Sequence, residues 1–306
     1  MSLKNTFRQM FSKKESTNQL AISMTKQGIA YCHMAEQKIQ DAQLLKLVDN
    51  DFTKSLSLLG STLGLSGDCR LILAANQYHI VQIDKPSVPE EELNQALKWQ
   101  VKELVNIPPE DMILDYFDGP MLAGGGQKLN VVVASKAELA TFVKELDQQQ
   151  ITISSITTEE FAFKDLLPVQ DDAHLLLVQQ PGEEMVILII KNGQMYFHRR
   201  LRGFSDIAKK SEDELAFGMI DSISLEIQRS TDYFERQLKQ APIKTIKVLT
   251  PNDNEAFIAR KLSENTNVAV ELFSLPEHYA NYRQYAAPLG LFIEQTPVAQ
   301  TQEVEV

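Results

Sequence analysis

The sequence contains few cysteines and no long apolar run. Among its 306 residues only Cys32 and Cys69 carry thiols, and neither has the spacing of a metal site. Two inert thiols in a reducing compartment are therefore expected. The longest conspicuous apolar run, MVILII at 185–190, is much shorter than the roughly 20 residues that cross a bilayer. The first residues also lack the apolar centre of a secretory signal, so a cytoplasmic protein is predicted.

Positive charge is also scarce. The chain has 30 Lys and Arg against 41 Asp and Glu, which gives a formal net charge of −11. This composition argues against a general nucleic-acid binder, because phosphate contacts need clustered basic residues. The exception is the N-terminal arm, residues 1–17, where four basic residues accompany four apolar ones at helical spacing: Lys4, Arg8, Lys13 and Lys14, and Leu3, Phe7, Met10 and Phe11. Two interpretations stay open for this arm, contact with an anionic membrane surface or a solvated basic segment.

The patterns of common catalytic and metal sites are missing. None of the five histidines pairs with another at H-x-x-x-H spacing, and no G-x-S-x-G elbow occurs. The glycine triplet at 124–126 is followed by Gln127, Lys128 and a strand pattern rather than by a helix. It therefore predicts a hairpin loop instead of a phosphate-binding loop. We expect neither a bound metal nor a catalytic residue of these types.

Strand and helix patterns are plentiful. Hairpins are predicted at 20–34 and at 185–201, the second with an Asn192-Gly193 turn. Capping boxes at Ser87, Ser135 and Ser211 predict three helices. Their predicted buried faces are Leu93, Ala96, Leu97, Val101 and Leu104; Leu139, Phe142, Val143 and Leu146; and Ala216, Ile220, Ile223, Ile227, Phe234 and Leu238. The order hairpin, helix, strand, helix, strand occurs twice, so two similar α/β halves around a central crevice are predicted, with the boundary at 168–172.

A few residues outside these faces are candidates for function. The only tryptophan, Trp99, falls off the predicted core face, which is typical either of a partner-binding anchor or of a side chain packed under a loop. Glu159 and Glu160 open a predicted helix, where they either complement the helix dipole or act as an acid or base. In HRRLR at 198–202, one arginine either reaches into the crevice or ends a solvated strand.

Several segments together resemble the PilM family, the actin-like cytoplasmic proteins of type IV pilus assembly. The most specific are ALKWQVKELVNIPPEDMILDYF and SLEIQRSTDYFERQ, and LNVVVASKAELATFVKELDQQQITISSITTEEFAF, LIIKNGQMYFHRRL and AAPLGLFI follow the same order. The resemblance extends from about residue 18 to 293. Within the family, the short chain and its altered loops are most similar to proteins of mannose-sensitive haemagglutinin (MSHA) pilus assembly.

This resemblance implies an α/β, actin-like (ribonuclease H-like) fold with two lobes around a central cleft. The implied lobes are 18–172, with an inserted subdomain at about 75–128, and 173–293, whose final helix returns towards the first lobe. Residues 294–306 are polar and poor in apolar residues, so they are expected to be disordered.

The resemblance also implies where a nucleotide would bind, and the chain departs from the family pattern in all three loops. The first loop has Ser23 in place of an Asp that would organise magnesium and Thr25 in place of a Gly, and it ends at Gln27. The second, 179–184, contains Gln179 and Gly182 together with a proline and two glutamates, Glu183 and Glu184, that would repel a triphosphate. The third has Pro251 in place of a Gly-Gly turn. We therefore expect a pseudo-ATPase with no catalytic residues and neither ATP nor Mg²⁺ bound.

The function that the resemblance implies is a scaffold at the cytoplasmic face of the inner membrane. It would bind the N-terminal cytoplasmic peptide of a PilN-like protein in a groove of the first lobe. The residues expected there are Trp99, Val105, Ile107 and Tyr116. Two alternatives stay open: an ATP-binding switch or weak ATPase that uses Lys26, Arg199 or Arg202, and the cytoplasmic domain of a type II secretion component. Self-association also stays open.

Overall fold

The computed structural model describes residues 18–121 and 126–293. The N-terminal arm, most of the glycine triplet and the tail predicted to be disordered lie outside the described residues. Contacts divide the chain into two units. The first extends to Glu159 and includes Gln237–Lys239, and the second comprises Glu160–Arg236 and the chain from Gln240 onwards. The lobe boundary expected at 168–172 stays a prediction.

The first unit contains eight strands and three helices. The strands are β1 (Asn18–Thr25), β2 (Gly28–Ala35), β3 (Lys38–Lys46), β4 (Gly67–Ile72), β5 (Tyr78–Asp84), β6 (Met112–Met121), β7 (Gln127–Ser135) and β8 (Ile151–Thr157). The helices are α1 (Phe52–Leu63), α2 (Glu90–Val101) and α3 (Lys136–Asp147).

The main sheet of this unit has the strand order β3-β2-β1-β4-β8. Strands β1, β2 and β3 are antiparallel, whereas β1, β4 and β8 are parallel. A Cβ at Gly28 would lie 1.9 Å from the carbonyl oxygen of Leu45, so only glycine allows β2 and β3 to approach there. Apolar side chains such as Leu20, Ile22 and Leu71 form the core together with residues of α1 and α3.

A smaller antiparallel sheet, ordered β5-β7-β6, lies within the same unit. Alternate residues of its central strand point to one face: Leu129, Val131 and Val133. Helix α2 buries Leu93, Leu97 and Val101 in the same apolar cluster. This separate cluster holds α2 on the small sheet.

The second unit repeats the arrangement of the first main sheet. Its strands are β9 (His174–Val178), β10 (Met185–Lys191), β11 (Gln194–Leu201), β12 (Thr245–Leu249) and β13 (Ala269–Leu272), in the order β11-β10-β9-β12-β13. As in the first unit, three neighbouring strands are antiparallel and the last three are parallel. The helices are α4 (Glu159–Asp165), which begins at the boundary between the units, α5 (Glu212–Glu214), α6 (Ile220–Asp232), α7 (Glu255–Glu264) and α8 (Ala286–Gly290). The predicted repetition of the two halves is thus confirmed at the level of strand order.

Local signals in the sequence are confirmed at several turns and caps. Asn192 and Gly193 have φ values of 52° and 69°, as a type I′ hairpin requires. The capping box of Ser211 and Glu214 forms in both directions. Ser135 accepts a hydrogen bond from the Glu138 backbone at the start of α3.

Other predictions about the helices are wrong. Helix α2 begins after Pro89 without a side-chain cap, so the expected box at Ser87 does not form. Leu104 is 55% exposed because α2 ends at Val101, and Val143 is also exposed. The predicted long helix from Ser211 is interrupted by π-helical turns, and its member Ala216 is exposed. Strand β3 and helix α1 are not predicted by the sequence patterns.

Candidate functional site

The first predicted loop is a closed two-residue turn in the first unit. Ser23 and Thr25 are buried at the end of β1, and Lys26 and Gln27 form the exposed tip. The Thr25 hydroxyl donates to the Gly28 carbonyl oxygen at 3.1 Å and accepts from the Gly28 amide at 3.2 Å. The hydroxyl and the amide that could serve a phosphate are therefore used within the turn.

The second predicted loop joins β9 to β10 in the second unit. Pro181 and Gly182 occupy its centre, Gly182 has a φ of 77°, and the Glu183 amide donates to the Gln180 carbonyl at 3.0 Å. This is the pattern of a type II turn. The buried side-chain amide of Gln179 donates to the carbonyl oxygens of Glu183 at 2.7 Å and of Phe204 at 2.9 Å. The Gln179 side chain therefore bonds to the other end of its own loop and to Phe204, which follows β11.

The two glutamates expected to repel a triphosphate are not exposed at the tip of this loop. Glu183 is only 2% exposed. Glu184 is half-buried, and its carboxylate accepts a hydrogen bond from the Phe204 backbone amide at 2.8 Å. Glu183 is therefore buried within its own unit, and Glu184 is held there by a backbone donor.

The third predicted loop follows β12 and leads into α7. Thr250 is fully buried, and its backbone amide donates to the Glu255 carboxylate at 2.7 Å. Asn252 donates to the Thr250 carbonyl and accepts from the Asn254 amide, at 2.8 and 2.9 Å. Pro251, the predicted site residue, is half-buried at the centre of this bonded loop.

Glu255 is the central polar group of the third loop, and the sequence patterns did not indicate it. Its carboxylate forms a bidentate ion pair with Arg283 at 2.8 and 3.1 Å, and both side chains are largely buried. Arg283 also donates to the carbonyl oxygen of Phe273. A carboxylate of the chain itself therefore sits at the start of α7, where an anion would be favoured by the helix N-terminus.

The second and third loops lie at one edge of the second sheet. The last residues of β9 and β12, Val178 and Leu249, are partners in a parallel ladder. The backbone amide of Gln179 donates to the Leu249 carbonyl oxygen at 3.0 Å. In open α/β sheets, ligands bind outside the carboxyl ends of such strands. The structure thus brings Gln179, Gly182 and Pro251 to one edge, whereas Ser23, Thr25 and Gln27 belong to the first unit.

A cavity of about 710 Å³ lies in the second unit next to these loops. Phe204, which is bonded to both Gln179 and Glu184, lines it, and so does Lys210, whose carbonyl accepts from Asn254 at 2.7 Å. Arg202 also lines the cavity. The arrangement offers space and cations beside loops in which the Gln179 side-chain amide and the Thr250 backbone amide are already bonded.

The predicted acid or base pair at α4 is buried. Glu159 and Glu160 are 2% and 4% exposed. Glu160 forms an ion pair with Arg200 at 2.9 Å, and Arg199 forms one with Glu226 at 2.9 Å. Burial also lowers the pKa of the neighbouring His198, an effect opposed by the Glu160 charge and assisted by Arg200. Two of the three arginines in HRRLR are thus bound to carboxylates.

The residues predicted to bind a partner separate into two groups. Trp99 is 58% exposed on α2, with the Lys102 ammonium 4.4 Å from the centre of its ring. Val105 is buried in the cluster beneath α2, and Ile107 and Tyr116 pack against that cluster while remaining half-buried. The structure therefore brings the last three together and leaves Trp99 on the exposed side of the helix.

The described part of the chain contains neither a cluster of metal ligands nor a membrane-spanning helix. No group of three or more His, Cys, Asp and Glu side chains in residues 18–121 and 126–293 is placed to hold a metal ion. No helix in these ranges is long and apolar enough to cross a membrane.

The fold is similar to those of known solved structures. A chain of the PilM–PilN type IV pilus biogenesis complex matches with a TM-score of 0.67 and 13% identity, over 91% of this chain and 98% of that one. The cytoplasmic domain of EpsL, an inner-membrane component of the type II secretion system of Vibrio cholerae, matches with a TM-score of 0.55 and 11% identity, over 92% and 97%. No protein-family model and no curated protein matches the sequence. At these identities the likeness shows the fold, and that fold is the actin-like α/β fold.

Proposed function

We propose that this chain is an adaptor of a type IV pilus assembly platform, located at the cytoplasmic face of the inner membrane. It binds the N-terminal cytoplasmic peptide of a PilN-like protein and has no ATPase activity. The observation that carries the proposal is the likeness to a chain of the PilM–PilN complex over 91% of this chain. Within this class we propose an MshI-like role in MSHA pilus assembly, supported by the altered loops.

The proposed loss of nucleotide binding is supported by the hydrogen bonds of the loops. Thr25, Gln179 and the Thr250 amide each bond to groups of the chain itself, and Glu255 lies where an anion would be favoured. A ligand would have to replace these bonds, and each exchange of a satisfied buried group yields little net free energy. The two main sheets of the fold are thus present, while these loop groups are bonded within the chain.

The proposed peptide site is supported by the surface of α2. Trp99 exposes more than half of a large amphipathic side chain, and Leu104 is 55% exposed nearby in sequence. Aromatic side chains of this kind are frequent anchors of protein interfaces. Lys102 beside the indole would allow an acidic group of a partner to bind there.

A binding experiment with a synthetic peptide of the PilN-like protein's cytoplasmic N-terminus tests this function. We expect Trp99→Ala to weaken binding by about 1–3 kcal/mol, measured by calorimetry or fluorescence anisotropy. Val143→Ala, which truncates an exposed apolar residue of α3, is the matched control and should bind as the wild type does. Absence of wild-type binding, or unchanged binding by a folded Trp99→Ala variant, would contradict the proposed site.

Two other functions have some support. The likeness to the EpsL cytoplasmic domain favours a type II secretion role, which binding to a secretion partner instead of the PilN-like peptide would reveal.

The cavity lined by Arg202 and Lys210 favours an ATP-binding switch or weak ATPase. In that case Mg²⁺-ATP should change the affinity for the partner peptide, whereas the affinity of an adaptor without a nucleotide site should not change.

A further inference from the structure

The segment between α5 and α6 exposes an aromatic side chain at a break in the helix. Phe217 has non-helical φ and ψ of −81° and 68°, and Gly218 follows with a φ of 86°. The side chain of Phe217 is 93% exposed, far more than any other large apolar residue described as exposed. Glycine adopts a positive φ without steric cost, so Gly218 suits the break in the helix at which the Phe217 ring is exposed.

The protruding ring stands at the cavity of about 710 Å³. Phe204 and Met219 contribute apolar surface to its lining, and Gly203 and Gly218 leave room where a Cβ would meet no atom within 4 Å. These apolar side chains can cover an aromatic ring, while charged residues such as Lys210 and Glu214 line the rest of the cavity. One surface of the second unit thus carries both a protruding ring and a cavity; we call it the Phe217 surface, formed by Arg202, Phe204, Asp213, Phe217 and Met219.

The charges on this surface are of both signs. Lys210 pairs with Glu214 at 3.3 Å. Arg202 and Asp213 are exposed, and neither forms an ion pair within the described residues. A two-fold axis that relates two copies allows each of these charges to face its opposite on the other copy, since residue i then contacts j and j contacts i.

We propose that the Phe217 surface binds the same surface of a second copy of this chain around a two-fold axis. Phe217 of each copy enters the cavity of the other, and Arg202 of each copy faces Asp213 of the other. This goes beyond the proposed adaptor function, since it concerns the second unit and does not involve Trp99. A second copy matches the ring with the cavity and each charge with its opposite in one contact.

The size of the surface implies a weak dimer. Stable interfaces bury roughly 1,200–2,000 Å² in total, and one aromatic side chain buries about 150–250 Å². Two aromatic rings therefore form the centre of a small interface rather than an obligate one. Reversible, concentration-dependent dimers are expected.

Sedimentation velocity of the full chain, from micromolar to near-millimolar concentration, tests the aromatic contact. The wild type should dimerise, and Phe217→Ser should weaken dimerisation about tenfold or more. Leu225→Ser is the matched control, because it removes an apolar side chain that is 46% exposed on α6. A wild type that stays monomeric at the highest concentration would overturn the proposal, and so would a folded Phe217→Ser variant that dimerises as the wild type does.

Charge reversal tests the two-fold arrangement. Arg202→Asp alone and Asp213→Arg alone should each weaken dimerisation, because like charges then face each other. An equimolar mixture of the two variants should form heterodimers of about wild-type stability, since both contacts again join opposite charges. If the mixture associates no better than either variant, the two-fold pairing is wrong.

Discussion

The loops that end β9 and β12 and the surface of α2 present their chemical groups in opposite ways. In the loops, the amide of Gln179 and the carboxylate of Glu255 are buried and bonded within the chain. On α2, Trp99 is more than half exposed. A bonded buried group has little to gain from a ligand, whereas an exposed apolar side chain gains free energy when a partner covers it. The difference is the physical basis for our proposal that this chain binds a protein rather than a nucleotide.

Among the loop and surface variants, the largest loss in the free energy of unfolding is expected when the bonds of the third loop are removed. Glu255→Ala leaves Arg283 and the Thr250 amide without their carboxylate, so the free energy of unfolding should fall by about 3 kcal/mol in urea denaturation. Glu264→Ala on the same helix removes only an exposed pair with Lys261 and should cost less than about 1 kcal/mol. Equal losses in the two variants would show that Glu255 does not hold the loop.

The turns after β1 and β9 occupy the same place in the two main sheets, and alanine substitutions at Gln27 and Gln179 compare them. Gln179→Ala removes the donor of two buried carbonyl groups, those of Glu183 and Phe204, so we expect a loss of about 1–3 kcal/mol in unfolding free energy. Gln27→Ala, at the exposed tip of the first turn, should change it by no more than about 0.5 kcal/mol. A loss at Gln27 as large as at Gln179 would remove the distinction.

Asp111, which lies between α2 and β6, forms hydrogen bonds to the start of α3 and makes the free energy of unfolding depend on pH. Its carboxylate accepts from the Ser135 hydroxyl at 2.6 Å and the Ala137 amide at 2.8 Å, and these bonds hold its pKa below the ordinary value of an Asp. Since the unfolded pKa is about 3.9, this stabilisation is present above that pH and is lost as pH falls through the folded pKa. Urea denaturation should therefore separate Asp111→Asn from the wild type at neutral pH and bring them together in acid.

The neighbouring Glu110→Gln is the control for this pH dependence, because Glu110 is exposed. We expect it to follow the wild type at every pH. A constant difference between Asp111→Asn and the wild type from neutral pH to strong acid would contradict the assignment.

The smallest effect on stability is expected on the α2 surface. Trp99→Ala removes an exposed ring and a cation–π contact with Lys102, so unfolding free energy should change by less than about 1 kcal/mol. Leu97→Ala, fully buried on the same helix, should cost about 2–5 kcal/mol. If Trp99→Ala were as destabilising as Leu97→Ala, Trp99 would be a core residue and no longer a candidate anchor.

Much of the fold follows from local patterns in the sequence, and the exceptions have physical causes. The Asn192-Gly193 turn and the Ser211 box were predictable because each depends on residues a few positions apart. Strand β3 was missed because most of its side chains are polar or exposed, so its pattern lacks an apolar period. The predicted box at Ser87 fails because the helix begins directly after Pro89.

The candidate site was less predictable than the fold. The three loops named from the resemblance lie at the ends of β1, β9 and β12, but no sequence pattern indicated the hydrogen bonds within them. Glu255 and Arg283 are 28 residues apart, and no local pattern links such a pair. The exposure of Phe217 had a weak signal in Gly218, which is unfavourable within a helix.

Isothermal titration calorimetry with Mg²⁺-ATP at millimolar concentration tests whether the altered loops bind a nucleotide. We expect no saturable heat of binding and no magnesium-dependent rise in the thermal midpoint, because Thr25, Gln179 and the Thr250 backbone amide are bonded within the chain. Saturable, magnesium-dependent binding would contradict this expectation and establish the chain as an ATP-binding switch.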